Sequence, residues 1–121
     1  MNTKRAKPFP ATGASEKLLT ADGWTCTRVE RCVPPGIRFD AFGFGDLLCC
    51  SPGRGIMLAQ CTGGTSSGNF NKRVAKIRAD PRHAIWLASG GRILVMSWEK
   101  RVDTKERALR TLEITPLTAP P

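Results

Sequence analysis

Between two short apolar runs, Leu47-Leu48-Cys49-Cys50 and Ile56-Met57-Leu58-Ala59-Gln60-Cys61-Thr62, stands the segment Ser51-Pro52-Gly53-Arg54-Gly55. Proline removes a backbone donor and glycine admits left-handed backbone, so this segment reverses the chain and continues neither helix nor strand. Apolar runs of this length, bounded by turn residues, fit buried strands. The two runs are therefore expected to pair as an antiparallel hairpin, with Cys49 and Cys50 acting as small hydrophobes.

The flanking segments arrange themselves around that hairpin. Thr12 to Ala21 reads as a short helix carrying Ala14, Leu18 and Leu19, capped by Thr12 or Ser15 and closed by Asp22-Gly23. Trp24 to Cys32 alternates like a strand until Pro34-Pro35-Gly36 breaks it. Gly63 to Gly68 is a small-residue loop, and Asn69 to Ala79 sets Phe70, Val74 and Ile77 on one helical face, stopped by Asp80-Pro81. His83 to Ser89 and Ile93 to Trp98 read as strands joined by Gly90-Gly91-Arg92, with a charged stretch and an edge strand at Thr111 to Ile114 beyond them. The order helix, three strands, helix, two or three strands predicts an α/β or α+β domain with a mixed sheet between helices. Residues 1–11 read as a basic flexible arm, 12–115 as the domain and 116–121 as a loose tail.

Nineteen Lys and Arg against ten Asp and Glu leave a formal charge of +9 on 121 residues. A domain so small and basic attracts polyanions through counterion release, which points to nucleic acid as the partner. The spacing of five cysteines and one histidine matches no zinc pattern and contains no C-x-x-C pair, so reduced thiols in a cytoplasmic protein are expected. No apolar run approaches the roughly 20 residues of a membrane span. Met1 to Pro8 is positive, but no apolar stretch of a secretory signal follows it.

Chemistry concentrates on the hairpin. Asp46 opens its first arm, while Gln60 and Thr62, two apart, share one face near the end of the second. Antiparallel pairing brings the start of one arm against the end of the other, so Asp46 and Gln60 are expected to converge. Oxygen ligands gathered this way suit a hard cation such as Mg²⁺, or Mn²⁺ in its place. Asp40 has the same parity as Asp46, and Gly43 and Gly45 between them allow the chain to bend until the two acids meet.

The stretch from Asp46-Leu47-Leu48 through the turn to Gln60-Cys61-Thr62 resembles the PD-(D/E)XK nuclease signature. The nearest resemblance is to Holliday-junction resolvases and the small phage and bacterial proteins related to them. Asp40, Phe42, Gly43, Phe44, Asp46, Leu47, Gln60, Thr62, Gly68, Asn69, Arg73 and Lys76 carry it, over roughly residues 14 to 100. It implies a restriction-endonuclease-like core and a metal-dependent endonuclease that hydrolyses DNA phosphodiesters at branched or junction DNA, working as a homodimer. Asp46, Gln60, Thr62 and Asp40 would form the catalytic set. Asp46, Gln60 and the backbone carbonyl of Cys61 would hold Mg²⁺, and Ser67, Asn69, Arg73 and Lys76 would contact DNA. Glu16 or Glu30 would add a further acid. The pattern departs from the family at two positions: Gln60 stands where Glu is expected, and Thr62 where Lys is expected. Those exchanges open a second reading, a non-catalytic DNA-binding module or phage assembly factor on the same fold. A third reading, RNA binding, rests on charge alone.

Overall fold

The computed structural model describes residues 9–29, 31–33, 37–64, 68–100 and 106–116. Helix α1 (Ala11–Ala21) leads into β1 (Thr25–Arg28), a small hairpin of β2 (Arg31–Val33) and β3 (Ile37–Phe39), and then β4 (Leu47–Ser51) and β5 (Gly55–Gly64). Helices α2 (Gly68–Ala79) and α3 (Pro81–Ala88) follow, and β6 (Gly91–Lys100) and β7 (Arg107–Ile114) complete the described chain. Five strands form one mixed sheet in the order β1-β4-β5-β6-β7, while β2 and β3 pair separately. Among the described residues the architecture is α+β, a mixed five-stranded sheet with three helices.

The hairpin predicted from the two apolar runs is present, with Leu47 opposite Ala59 and Ser51 opposite Gly55. From β5 the chain returns through α2 and α3 to lay β6 parallel to β5, Ile56 beside Gly91 and Thr62 beside Ser97. Parallel neighbours need such a crossover because a tight turn can join only antiparallel strands. Strand alternation divides the interior in two. Met57, Ala59 and Cys61 join Leu47, Cys49, Met96, Trp24 and the α1 residues Ala11 and Leu19. Leu58 joins Ile93, Val95, Phe44 and Ile114 beneath Phe70, Val74 and Ile77 of α2, with Trp86 and Leu87 of α3 packed alongside. Along β5 from Met57 to Thr62 both faces are covered, so the sequence there runs without strict alternation, whereas Ile56 is 44% exposed and Cys50, expected as a buried small hydrophobe, is exposed. Burial pushes the Cys49 thiol up, and neighbouring Cys26 adds to the effect, so it packs as a neutral hydrophobe. No helix among the described residues is long and apolar enough to cross a membrane.

Four local expectations are corrected. The segment expected as a strand from His83 to Ser89 is helical instead, His83 to Ala88 lying in α3 and Ser89 capping its end. The pair read as a stop is also a start: Asp80 caps α3, accepting the Arg82 backbone N–H at 2.9 Å, and Pro81 fills the first helical position. An eight-residue segment holding Ile85-Trp86-Leu87 reads equally as buried strand or helix, and the cap decides. Secondly, α1 begins at Ala11 with Pro10 at its cap and no capping side chain. Ser15 instead lies buried inside the helix and accepts a 2.8 Å hydrogen bond from Trp98 Nε1, fastening α1 to β6. Thirdly, the extended stretch from Trp24 to Cys32 divides between two sheets, β1 pairing with β4 and β2 with β3. Finally, the edge strand reaches back to Arg107. Phe9, at the end of the expected arm, packs against Trp98 at 5.7 Å between ring centres; residues 1–8 and 117–121 lie outside the described part.

Two outcomes test this packing. A methyl group at Gly91 would collide with the Trp86 ring, which is anchored by its own 2.8 Å hydrogen bond to the Arg92 carbonyl. Gly91→Ala is expected to lower unfolding free energy by about 2 kcal/mol in urea titrations. The Arg82 guanidinium and backbone N–H beside Asp80 hold its carboxyl down at about 2, against an ordinary 3.8. A depressed folded-state value means stabilisation that is present above the unfolded value and lost as pH falls through the folded one. Stability should therefore decline between about pH 4 and pH 2, with a shallower decline in Asp80→Asn.

Candidate functional site

Strand β5 extends beyond the start of β4, and on the β4 side its outer length lacks a strand partner, a gap that Asp46 fills. Its backbone N–H donates to the Ala59 carbonyl at 2.9 Å and its carbonyl accepts from Val29 N–H at 3.0 Å. Just before Asp46 the main chain turns away at Gly45, so the backbone ladder cannot continue to Cys61. Instead the Asp46 carboxylate takes over as acceptor, Oδ2 receiving the Cys61 N–H at 2.7 Å and Gln60 Nε2 at 3.0 Å. All of this is buried: Asp46 is 2% exposed and Gln60 5%. The spatial expectation from sequence holds, with the acid opening one arm meeting the amide near the close of the other.

The approach to Asp46 is a tight reversal. Ala41 bridges Gly45 across a turn of Phe42, Gly43 and Phe44, with the Ala41 carbonyl accepting from Phe44 at 3.0 Å and from Gly45 at 2.8 Å. Gly43 sits at φ +80°, a backbone state that favours glycine. Asp40 and Asp46 thus flank one turn instead of lying along a straight strand. A Cβ at Gly45 would press within 2.9 Å of the Leu58 side chain, so the return arm also needs its glycine.

A cleft of about 760 Å³ opens at this end of the sheet. Asp40, Asp46, Gln60, Cys61 and Thr62 line it, and from α2 so do Arg73 and Lys76, one helical turn apart. Sequence reasoning missed Arg28, which ends β1 and lies against the first turn of α1; a Cβ at Gly13 would stand 3.1 Å from its Nη2. No local motif marks Arg28, because sheet pairing with β4 brings it to the cleft. Three cationic side chains then share the cleft with two carboxylates. Asn69, in the first turn of α2, does not line the cleft. Ser67 and Glu30 lie outside the described residues. Glu16 pairs with Arg28 at 3.3 Å on the α1 surface and is absent from the cleft wall. His83 is held by its Nδ1 contact of 2.7 Å to the Asp80 carbonyl, a structural position.

A divalent ion needs oxygen ligands, and Mg²⁺ commonly takes one or two carboxylates with water and phosphate oxygens. Here Gln60 turns its N–H₂ towards Asp46, and one Asp46 oxygen already accepts two N–H groups. Among the described residues no group of three His, Cys, Asp or Glu side chains converges to hold a metal. As arranged, the donor set does not fit a cation held by the protein alone.

The hydrogen-bonded arrangement makes its own forecast. Asp46→Ala leaves the Cys61 N–H and the Gln60 amide without this acceptor and should cost about 3 kcal/mol of stability, at roughly 1–3 kcal/mol per buried unsatisfied group. Asp46→Asn, which keeps one carbonyl oxygen, should cost less. Urea unfolding, with faster amide hydrogen exchange at Cys61 in the alanine variant, checks both. Compared with protein-family models, with curated proteins and with solved structures, the chain shows no match.

Proposed function

We propose that this chain binds the phosphodiester backbone of DNA in the cleft at the open end of β4 and β5. The observation that carries the reading is the meeting of Arg28, Arg73 and Lys76 with Asp46, Gln60 and Thr62 around one cleft. Basic side chains from separate elements, facing a common opening on a chain of formal charge +9, suit successive phosphates. The order α1, three neighbouring sheet strands, a helical crossover and a parallel β6 is also what a restriction-endonuclease-like core would give. Within this reading the neutral Gln60 and Thr62 make the cleft a binding site on a nuclease-like scaffold, and a homodimer would present two such clefts to a branched or twofold-symmetric DNA.

Metal-dependent hydrolysis is the second reading, favoured by Asp40 and Asp46 facing the same cleft. It requires Gln60 to release Asp46 before a cation is met. The same protein preparation separates the two. Fluorescence anisotropy against duplex and four-way-junction DNA should show binding that weakens steeply with salt. Arg73→Ala and Lys76→Ala should each lower the salt slope by about one. With Mg²⁺ or Mn²⁺ the wild-type chain should bind without nicking, and Gln60→Glu combined with Thr62→Lys should gain metal-dependent nicking. Wild-type nicking that Asp46→Asn abolishes would establish the hydrolytic reading instead. A preference for RNA would displace both.

A further inference from the structure

Two phenylalanines flank Gly43, and the fold treats them oppositely. Phe44 is 1% exposed in the core beneath α2, whereas Phe42 is 40% exposed at the tip of the turn. Phe42 is also the one non-glycine residue among those described with positive φ, at +57°. Asparagine or glycine would adopt that backbone at lower cost, and a half-exposed phenyl ring recovers little through burial. Backbone strain beneath a solvent-facing aromatic is a feature of sites where something is to be contacted.

Neighbouring groups hold the strained residue in place. Arg82 donates through Nη2 to the Phe42 carbonyl at 2.7 Å, and its guanidinium lies 5.6 Å from the ring centre. Asp80 fixes Arg82 through contacts of 3.0 Å to Nε and 2.8 Å to Nη2. Phe44 and Trp86 support the ring at centroid distances of 6.0 and 6.1 Å. Ile85, 64% exposed, lies one turn from Arg82 on α3. The residues on either side of this region, Asp40 and Gly43, line the cleft. Phe42 itself does not line the cleft, so the result is a pre-set aromatic surface that adjoins the cleft through Gly43, with a cation beside it.

We infer that Phe42 is a stacking residue that receives an unpaired nucleobase at the cleft's edge, giving the protein a preference for DNA with a base out of its helix. The inference rests on the DNA-binding reading above and adds a specificity to it. Aromatic rings stack on any base face, and a neighbouring guanidinium reinforces the contact. Fully paired duplex offers no such face, so its binding depends on the phosphate contacts of Arg28, Arg73 and Lys76 alone.

Two fluorescein-labelled duplexes of equal length and charge test it, one fully paired and one carrying a single unpaired 2-aminopurine. Wild-type protein should bind the second about tenfold more tightly, the range expected of one base stacked on an aromatic. Its 2-aminopurine emission should also change on binding. Phe42→Asn, which suits the left-handed backbone, should melt within a few degrees of wild type, bind paired duplex unchanged and lose the preference. Phe42→Trp should retain it. Equal affinity of the wild type for both duplexes, or a preference that survives in Phe42→Asn, would overturn the stacking role while leaving backbone binding intact. Binding to neither duplex would overturn the backbone reading and this one together.

Discussion

A buried carboxylate must have its charge met, and the way Asp46 meets that requirement organises this end of the molecule. Its backbone joins β1 to β5 through Val29 and Ala59, while its side chain replaces the missing ladder acceptor for Cys61. A charge-assisted hydrogen bond of 2.7 Å from a backbone amide is strong, and its geometry leaves little freedom to β5. Three strands are therefore tied at one residue, and the cleft exists because β4 begins there while β5 runs on. Remove the turn at Ala41 to Gly45 and the carboxylate has no reason to replace the backbone.

The second constraint is the crossover. Because β6 lies parallel to β5, α2 must cover the sheet face that carries Gln60 and Thr62, and its apolar stripe of Phe70, Val74 and Ile77 fixes its rotation. With that stripe directed inwards, Arg73 and Lys76 come to the cleft. Packing thus dictates where the cations stand. Arg28 arrives by a different route, through the pairing of β1 with β4.

What could be read from the sequence follows from this. The hairpin was legible because Pro52 and Gly53 leave the chain few alternatives, and with the hairpin came the pairing of Asp46 with Gln60. The α2 face was legible because its apolar spacing has a single helical solution. Helix α3 was not, since Asp80-Pro81 terminates one helix and caps the next with the same two residues. Two features needed tertiary structure: Arg28, brought to the cleft by sheet order, and the opposite fates of Phe42 and Phe44, set by a φ of +57°. Identical side chains two residues apart carry no sequence signal for which is inside.

The exchange of Glu for Gln at position 60, relative to the pattern this chain resembles, has a definite electrostatic meaning. Two carboxylates at the 3.0 Å separation seen between Gln60 Nε2 and Asp46 Oδ2 could not both ionise without a cation between them. An amide in that place donates a hydrogen bond and leaves Asp46 satisfied with no ion present. The threonine at 62, 8% exposed, acts in the same direction: a lysine there would bring a buried charge needing a partner, whereas a hydroxyl brings none. Taken together, Gln60 and Thr62 leave Asp46 hydrogen-bonded within the protein, where the resembled pattern would set a second carboxylate and a lysine beside it. In the DNA-binding reading proposed above, affinity for the backbone would fall to cations at the cleft wall, which are indifferent to base sequence, and discrimination would come from groups beside the cleft.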